Sequence, residues 1–383
     1  MTIARVVPSN LIADLAQHAS RFRTINIVAE VPSAIQNLLS SLMDHNVSNS
    51  LSELSLCVTD TEHIDRLGPE PYYMFLPDNE TSERQFSQLV QSLTRFRCYG
   101  ATLNWRNITF SSRLVEIRLH SVIIGNDHFL HSMLLVISTA SELQKLDLIS
   151  ITSFPQPIMM PPFQLVFSQL QSLVLEDLRF NTLSIILHSI IPSSYKLTLA
   201  LTNRSLTTVT AVRNVVPQPI DRSELWDLLE GVPVENLLLE NQNNCPDQYT
   251  LAIIMDAMMS IGTLMIDGWT IDEEFCTAFT KREQELDGWE IDIPKIRDLS
   301  LTNVRIDDRE GLRRLIRSHN LESIFLSGHF NHGPKGSEAL EDWHILAPWD
   351  NTVEWLAGDI PSIAMSFGNY SPPEFRSAIW QLW

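Results

Sequence analysis

In KIRDLSLTNVRIDD, residues 295–308, the apolar positions Ile296, Leu299 and Leu301 are spaced three and then two apart, and Asn303 and Ile306 close the stretch. The two-residue step is a strand signature, because successive side chains of a strand point to opposite faces. The same spacing recurs as FRTINI from Phe22, LSELSL from Leu51, LTRFRC from Leu93, LVEIRL from Leu114, LQKLDL from Leu143 and LQSLVL from Leu170. It continues as VENLLL from Val234, IGTLMI from Ile261 and LESIFL from Leu321, with weaker copies SYKLTL from Ser194 and IPSIAM from Ile360. From Phe22 to Leu321 the steps between starts are 29, 42, 21, 29, 27, 24, 40, 27, 35 and 25 residues, so the chain reads as a repeat array with insertions.

Helical patterns fill the gaps. VPSAIQNLLSSLMDHN (31–46) places Ile35, Leu38, Leu39 and Leu42 on one face, with Pro32 and Ser33 suited to its start. NDHFLHSMLLVISTA (126–140) does so with Phe129, Met133, Leu134 and Ile137, and DREGLRRLIRSHN (308–320) with Leu312, Leu315 and Ile316. Each unit is therefore strand, turn, helix, and buries its apolar face only against its neighbours. The insertion near 57–92 contains LGPEPYYMFLPDNETSERQF and reads as a long loop, which Tyr72, Tyr73 and Phe75 pin down, the alternative being that they anchor a partner. The one near 202–232 carries a helix from Ser223 to Glu230.

These units resemble leucine-rich repeats of the irregular intracellular kind, LxxLxLxNxxI, best kept in LSLTNVRI. They are especially similar to the divergent repeats of fungal F-box-like proteins, in which a short helix like NLIADLAQHASRF precedes a first strand like RTINIV. The resemblance implies an α/β solenoid with a curved parallel sheet inside and helices outside. It further implies protein recognition on the concave face, with substrate recognition for ubiquitin ligation as the role. An F-box needs a longer helical segment than precedes Phe22, and no LP-type start is visible, so adaptor binding is not expected. The expected divisions are an N-terminal capping helix over 1–21, the solenoid over 22–326 and a Trp-rich C-terminal cap over 327–383.

In such a solenoid the residues alternating with the core positions face a partner. They are Arg95, Arg97, Tyr99, Glu116, Arg118, His120, Lys145 and Asp147 in the early copies. The later copies give Leu238, Glu240, Met265, Asp267, Asp298 and Phe325. The early strands thus present Arg and an aromatic, both favoured in binding hot spots; the late strands present acids and large apolar side chains. After Leu326, GHFNHGPKGSEALEDW reads as a loop. Trp343, Trp349, Trp355, Trp380 and Trp383, with a helical pattern over 372–383, suit a cap over the last repeat; a partner-binding aromatic patch is the alternative.

Composition sharpens this. Of 383 residues 44% are hydrophobic and the net charge is −19, so a large core is available and a phosphate-backbone or anionic-membrane partner is disfavoured. The charge is uneven: residues 221–383 hold 12 basic and 29 acidic side chains, −17, leaving −2 for the rest. Either this is a solubilising surface, or it is an acidic face for a basic partner. Cys57, Cys98, Cys245 and Cys276 form no CxxC pair, and no signal peptide or membrane span is legible, so a cytoplasmic or nuclear protein with reduced thiols is expected. The sequons at Asn46, Asn79, Asn107 and Asn203 then read as chance.

No GxSxG, GxGxxG or HExxH motif is present. GHFNHGPKGS fails as a phosphate loop because Pro334 removes a backbone donor and spoils the spacing. His329, His332 and His344 lack the acid or cysteine spacing of a metal site, and Asp272, Glu273 and Glu274 read as the start of a helix. The sequence therefore points to a protein-recognition module without catalysis, cofactor or metal; a structural or regulatory scaffold with no ligase link is the alternative.

Overall fold

The computed structural model describes residues 14–45, 50–59, 71, 73–74, 80–156, 163–209, 216–240, 248–280, 294–333, 343–347 and 351–366. The fold is mixed α/β, built on mostly parallel strands, and its contacts divide it into two compact units. One holds the described residues of 1–195 and 207–219, the other those of 196–206 and 220–379.

In the first unit the strands are β1 (Thr24–Ala29), β2 (Glu53–Val58), β3 (Arg95–Tyr99), β4 (Glu116–His120), β5 (Ile123–Asn126), β6 (Lys145–Ile149), β7 (Thr152–Phe154) and β8 (Ser172–Glu176). A parallel sheet runs β1-β2-β3-β4-β6-β8, and β5 pairs with β7 in a separate two-stranded ladder. Each copy of the sequence spacing is one strand, which begins two residues after the first apolar position. The Leu, Ile and Phe positions point into the core, among them Leu54, Leu56, Phe96, Ile117, Leu119, Leu146 and Leu148.

Neighbouring strands satisfy both ends of each unit. At the entry, one carbonyl accepts two N–H groups from the next strand: Ser52 O takes Thr94 N and Arg95 N, Thr94 O takes Val115 N and Glu116 N, and Val115 O takes Gln144 N and Lys145 N. At the exit the residue after the strand turns to positive φ: Gly100, Ser121, Ser150 and Asp177. Its N–H then bonds the next strand's last carbonyl, as Gly100 N does His120 O at 3.0 Å and Ser121 N does Ile149 O at 2.9 Å. Few non-glycine residues adopt this conformation, so its recurrence marks a turn the packing imposes.

The helices of this unit are Pro32–Met43, Glu80–Val90, Asp127–Ser138 and Phe180–Ser189. The first buries Ile35, Leu38, Leu39 and Leu42, the four residues read from the sequence. The third buries Leu130 where the sequence suggested Phe129; Phe129 instead lies under the Arg106 guanidinium, 5.3 Å from the ring centre. The presumed loop over 67–86 gives way to helix from Glu80, because Phe86, Leu89 and Val90 are spaced to pack together and all are buried. Tyr72 and Phe75 lie outside the described residues.

The second unit begins with β9 (Lys196–Leu201); the short antiparallel pair β10 (Thr207–Thr208) and β11 (Gln218–Pro219) belongs to the first. It continues with β12 (Val234–Glu240), β13 (Thr263–Asp267), β14 (Thr270–Ile271), β15 (Asp298–Ile306), β16 (Ser323–Asn331), β17 (Trp343–Ile345) and β18 (Ser362–Met365). The parallel order is β9-β12-β13-β15-β16-β18, with β14 on β15 and β17 antiparallel to β16. Here too Gly268 takes the positive-φ exit, its N–H bonding Thr302 O at 2.9 Å, while Asn303 takes a positive φ inside β15, where the register to β16 shifts.

Its helices are Arg222–Leu229, Gln248–Ala257, Glu273–Phe279, Arg309–His319 and Asn351–Asp359. Asp221 and Glu224 form a capping box at the first, and Asp272 caps Glu273–Phe279 through Phe275 N at 2.8 Å. The stretch from Gly328 to Asn331, expected as loop, extends β16, since Phe330 is fully buried. Trp343 lies under Arg305 and Trp355 under Arg313. Trp349, Trp380, Trp383 and the pattern over 372–383 lie outside the described residues, as does most of the N-terminal segment 1–21.

Candidate partner-binding face

Because parallel strands pair without offset, the outward side chains of the first unit stand in three columns. The first is Thr24, Glu53, Arg95, Glu116, Lys145 and Ser172. The second is Asn26, Ser55, Arg97, Arg118, Asp147 and Val174, and the third Val28, Cys57, Tyr99, His120, Ile149 and Glu176. Arg95, Arg97, Tyr99, Arg118, His120 and Lys145, separated by up to 50 residues, thus share one face.

Several charges on that face pair with one another. Arg95 pairs with Glu53 at 2.7 Å and with Glu116 at 3.6 Å, Arg97 with Glu116 at 2.8 Å, and Lys145 with Asp147 at 3.2 Å. Burial alone would raise the Glu116 carboxyl. The hydrogen bond and charge of Arg97, with Lys145 and Arg95, outweigh it and hold the group below the usual carboxylate range. For Asp147 burial wins and its pKa is raised, although Lys145 and Arg118 oppose it. Its Oδ1 has no hydrogen-bond partner.

His120 is a correction to the sequence reading. At 2% exposure it is not surface, and its ring meets Tyr99 edge-on, 4.6 Å between centres. Burial, then the charge of Arg118, push its pKa down to about 4, so it is neutral at pH 7. Cys57, also outward, is buried, and burial pushes its thiol up to about 12. Cys98 and Cys276 are likewise buried, and neither forms a disulfide among the described residues; Cys245 lies outside them.

The second unit carries different chemistry in the same arrangement. Its outward columns are Asn236, Thr263, Asp298, Ser323 and Ser362; Leu238, Met265, Ser300, Phe325 and Ala364; and Glu240, Asp267 and Thr302. The middle column is apolar where that of the first unit is charged. Leu238, at 3% exposure, and Asp267 are buried, so neither offers the open contact the sequence suggested, whereas Met265 and Phe325 are half-buried. Neutral groups hold the acids: Thr302 Oγ1 and Asn303 Nδ2 donate to Asp267 Oδ1 at 2.6 and 2.7 Å, and Ser323 Oγ donates to Asp298. Hydroxyls and amides orient a carboxylate without cancelling its charge.

The sequence reading missed Glu53 and Ser55, although LSELSL holds them in the same two slots that give Arg95 and Arg97 one copy later. Elsewhere, Asn107 of the NIT sequon donates to Glu83 at 2.6 Å, so its amide nitrogen is already engaged. Arg309 approaches His332 at 3.2 Å, and the His332 and His344 rings are 4.8 Å apart. Among the described residues no three His, Cys, Asp or Glu side chains gather as a metal site, and no helix is long and apolar enough to cross a membrane. No known family model matches the chain, and no curated protein matches it significantly.

Proposed function

We propose that this chain is a non-catalytic protein-recognition module that docks its partner on the outward strand face. The observation that carries the reading is the in-register array of outward side chains, which places the half-buried Met265 and Phe325 in one column and Arg95, Arg97 and Tyr99 on one strand. Flat arrays of aromatic, Met and Arg side chains are the composition of binding interfaces. The strand–turn–helix recurrence and the positive φ of Asn303, at the Asn slot of LSLTNVRI, support a leucine-rich-repeat solenoid with this face on its inner side. The resemblance to F-box-like proteins gives substrate recognition for ubiquitin ligation as the role.

Affinity purification with mass spectrometry tests the reading, run on wild type, Arg97→Glu, Met265→Lys and, as a control on helix Asp127–Ser138, Leu135→Lys. Loss of the same specific partners from either face variant, with retention in the helix variant, is the expected result. Partners that survive both face variants overturn it. Cullin-type components among the partners support the ligase role, and their consistent absence overturns that part alone.

A further inference from the structure

We propose that a cleft beside helix Glu80–Val90 binds a small zwitterion of the amino-acid or short-peptide class, with its ammonium group on Glu83 and its carboxylate on Arg84. The site is separate from the docking face, because it is built from a helix and a turn of the first unit and not from its strands. The repeat spacing opens it. The step from Leu93 to Leu114 is 21 residues, the shortest in the array. That unit carries only the three-residue 3₁₀ turn Trp105–Asn107, where the units before and after it carry helices of 11 and 12 residues. The turn ties to both: Asn107 Nδ2 donates to Glu83 of the preceding helix, and Arg106 lies over Phe129 of the following one. Beside the turn a cleft of about 530 Å³ stays open, lined by Glu83, Arg84, Ser87, Gln88, Gln91 and Asn107. Clefts of that size hold small ligands.

The lining selects the ligand. None of the six side chains is apolar, so an apolar molecule has nothing to bury against. Glu83 is 6% exposed, and a carboxylate so buried is costly unless something answers its charge. Its two oxygens accept from neutral amides, Asn104 Nδ2 at 3.1 Å and Asn107 Nδ2 at 2.6 Å, and among the described residues no cation pairs with it. A carboxylate has about four acceptor positions, so about two remain, and an ammonium group is a compact cation with donors to fill them. Arg84, the next residue, is exposed and likewise makes no ion pair among the described residues. Its planar fork suits a carboxylate. One cleft therefore offers an anion and a cation, each without a charged partner. Ser87, Gln88 and Gln91 add the hydroxyl and carboxamide groups that match peptide N–H and C=O.

The test is saturation-transfer difference NMR on the full chain. One probe set is the free L-amino acids, a second is Gly-X-Gly tripeptides, and each is also offered N-acetylated and C-amidated. The proposal expects at least one zwitterion to bind, and N-acetylation or C-amidation to weaken it by at least about tenfold. Glu83→Gln is expected to weaken the zwitterion by a similar factor and to leave the N-acetylated form unchanged, a coupling that a merely structural role would not produce. Glu142→Gln, outside the cleft, is expected to change nothing. Binding from the first set identifies a free amino acid, and binding from the second alone a peptide. Thermal melts establish that the variants fold; should Glu83→Gln not fold, Gln88→Lys sets a cation in the same cleft and is expected to weaken binding instead. Silence from both sets, indifference to either modification, or full binding by the folded cleft variant overturns the proposal.

Discussion

Arg97 donates from Nε to Glu116 Oε1 at 2.8 Å, from one strand to the next, across 19 residues of sequence. Glu116 also faces Arg95 at 3.6 Å, so one carboxylate serves two arginines in neighbouring columns. Both side chains of the Arg97–Glu116 pair are mostly buried, at 17% and 14% exposure. The pair therefore holds the sheet together before it offers anything to a partner.

Glu116 and Asp147 respond oppositely to neutralisation. The lowered pKa of Glu116 means that its ionised form stabilises the fold above the unfolded carboxyl pKa; that stability is lost as pH falls through the folded value. Glu116→Gln is expected to destabilise the protein by about 1–2 kcal/mol at pH 7. The raised pKa of Asp147 has the other sign: its ionised form is a cost that falling pH relieves. Asp147→Asn is expected to be neutral or stabilising at pH 8. Urea melts of the two variants at pH 7 and 8 check both; destabilisation by Asp147→Asn matching that of Glu116→Gln contradicts the assignment.

His120 gives a pH signature. Its folded pKa of about 4 lies below the unfolded value near 6.5, so the folded state resists taking up the proton. The stability it contributes is complete above pH 6.5 and falls away towards pH 4, by about 3 kcal/mol at most. His120→Phe is expected to flatten the stability curve across that window. An unchanged slope shows that other groups govern it.

Two glycines at nearly the same φ separate backbone strain from crowding. Gly100, at φ +78°, lies against Val58 O, where a Cβ has no room; Gly231, at φ +74°, has nothing within 4 Å. Gly231→Ala is expected to cost about 1 kcal/mol, for the left-handed conformation alone. Gly100→Ala adds a clash with the strand-exit turn and should cost at least about 1 kcal/mol more. Equal melting temperatures for the two variants contradict this.

All twelve copies of the three-then-two spacing proved to be parallel strands, because a buried strand face and a helical face leave different periods in the sequence. Which outward residues would meet was also legible, as alternation sets a side chain's face. Their partners were not. That Arg97 pairs with Glu116 depends on strand register across an intervening loop, and the burial of His120 and Leu238 is likewise a tertiary property that alternation does not encode. The turns at Ser121, Ser150 and Asp177 were hidden for a related reason: at Gly100 and Gly268 the residue type advertises a positive φ, and at these three it does not. Helix Glu80–Val90 was obscured by the Pro- and Tyr-rich stretch before it.

The most direct measurement is photo-crosslinking of the full chain from benzoylphenylalanine placed at Met265, at Arg97 and at Leu135, followed by mass spectrometry of the adducts. The account predicts adducts to one specific protein from Met265 or Arg97, competed by excess unlabelled chain, and none from Leu135. Adducts to that protein from Leu135 alone would place recognition on the helical side and contradict the central claim.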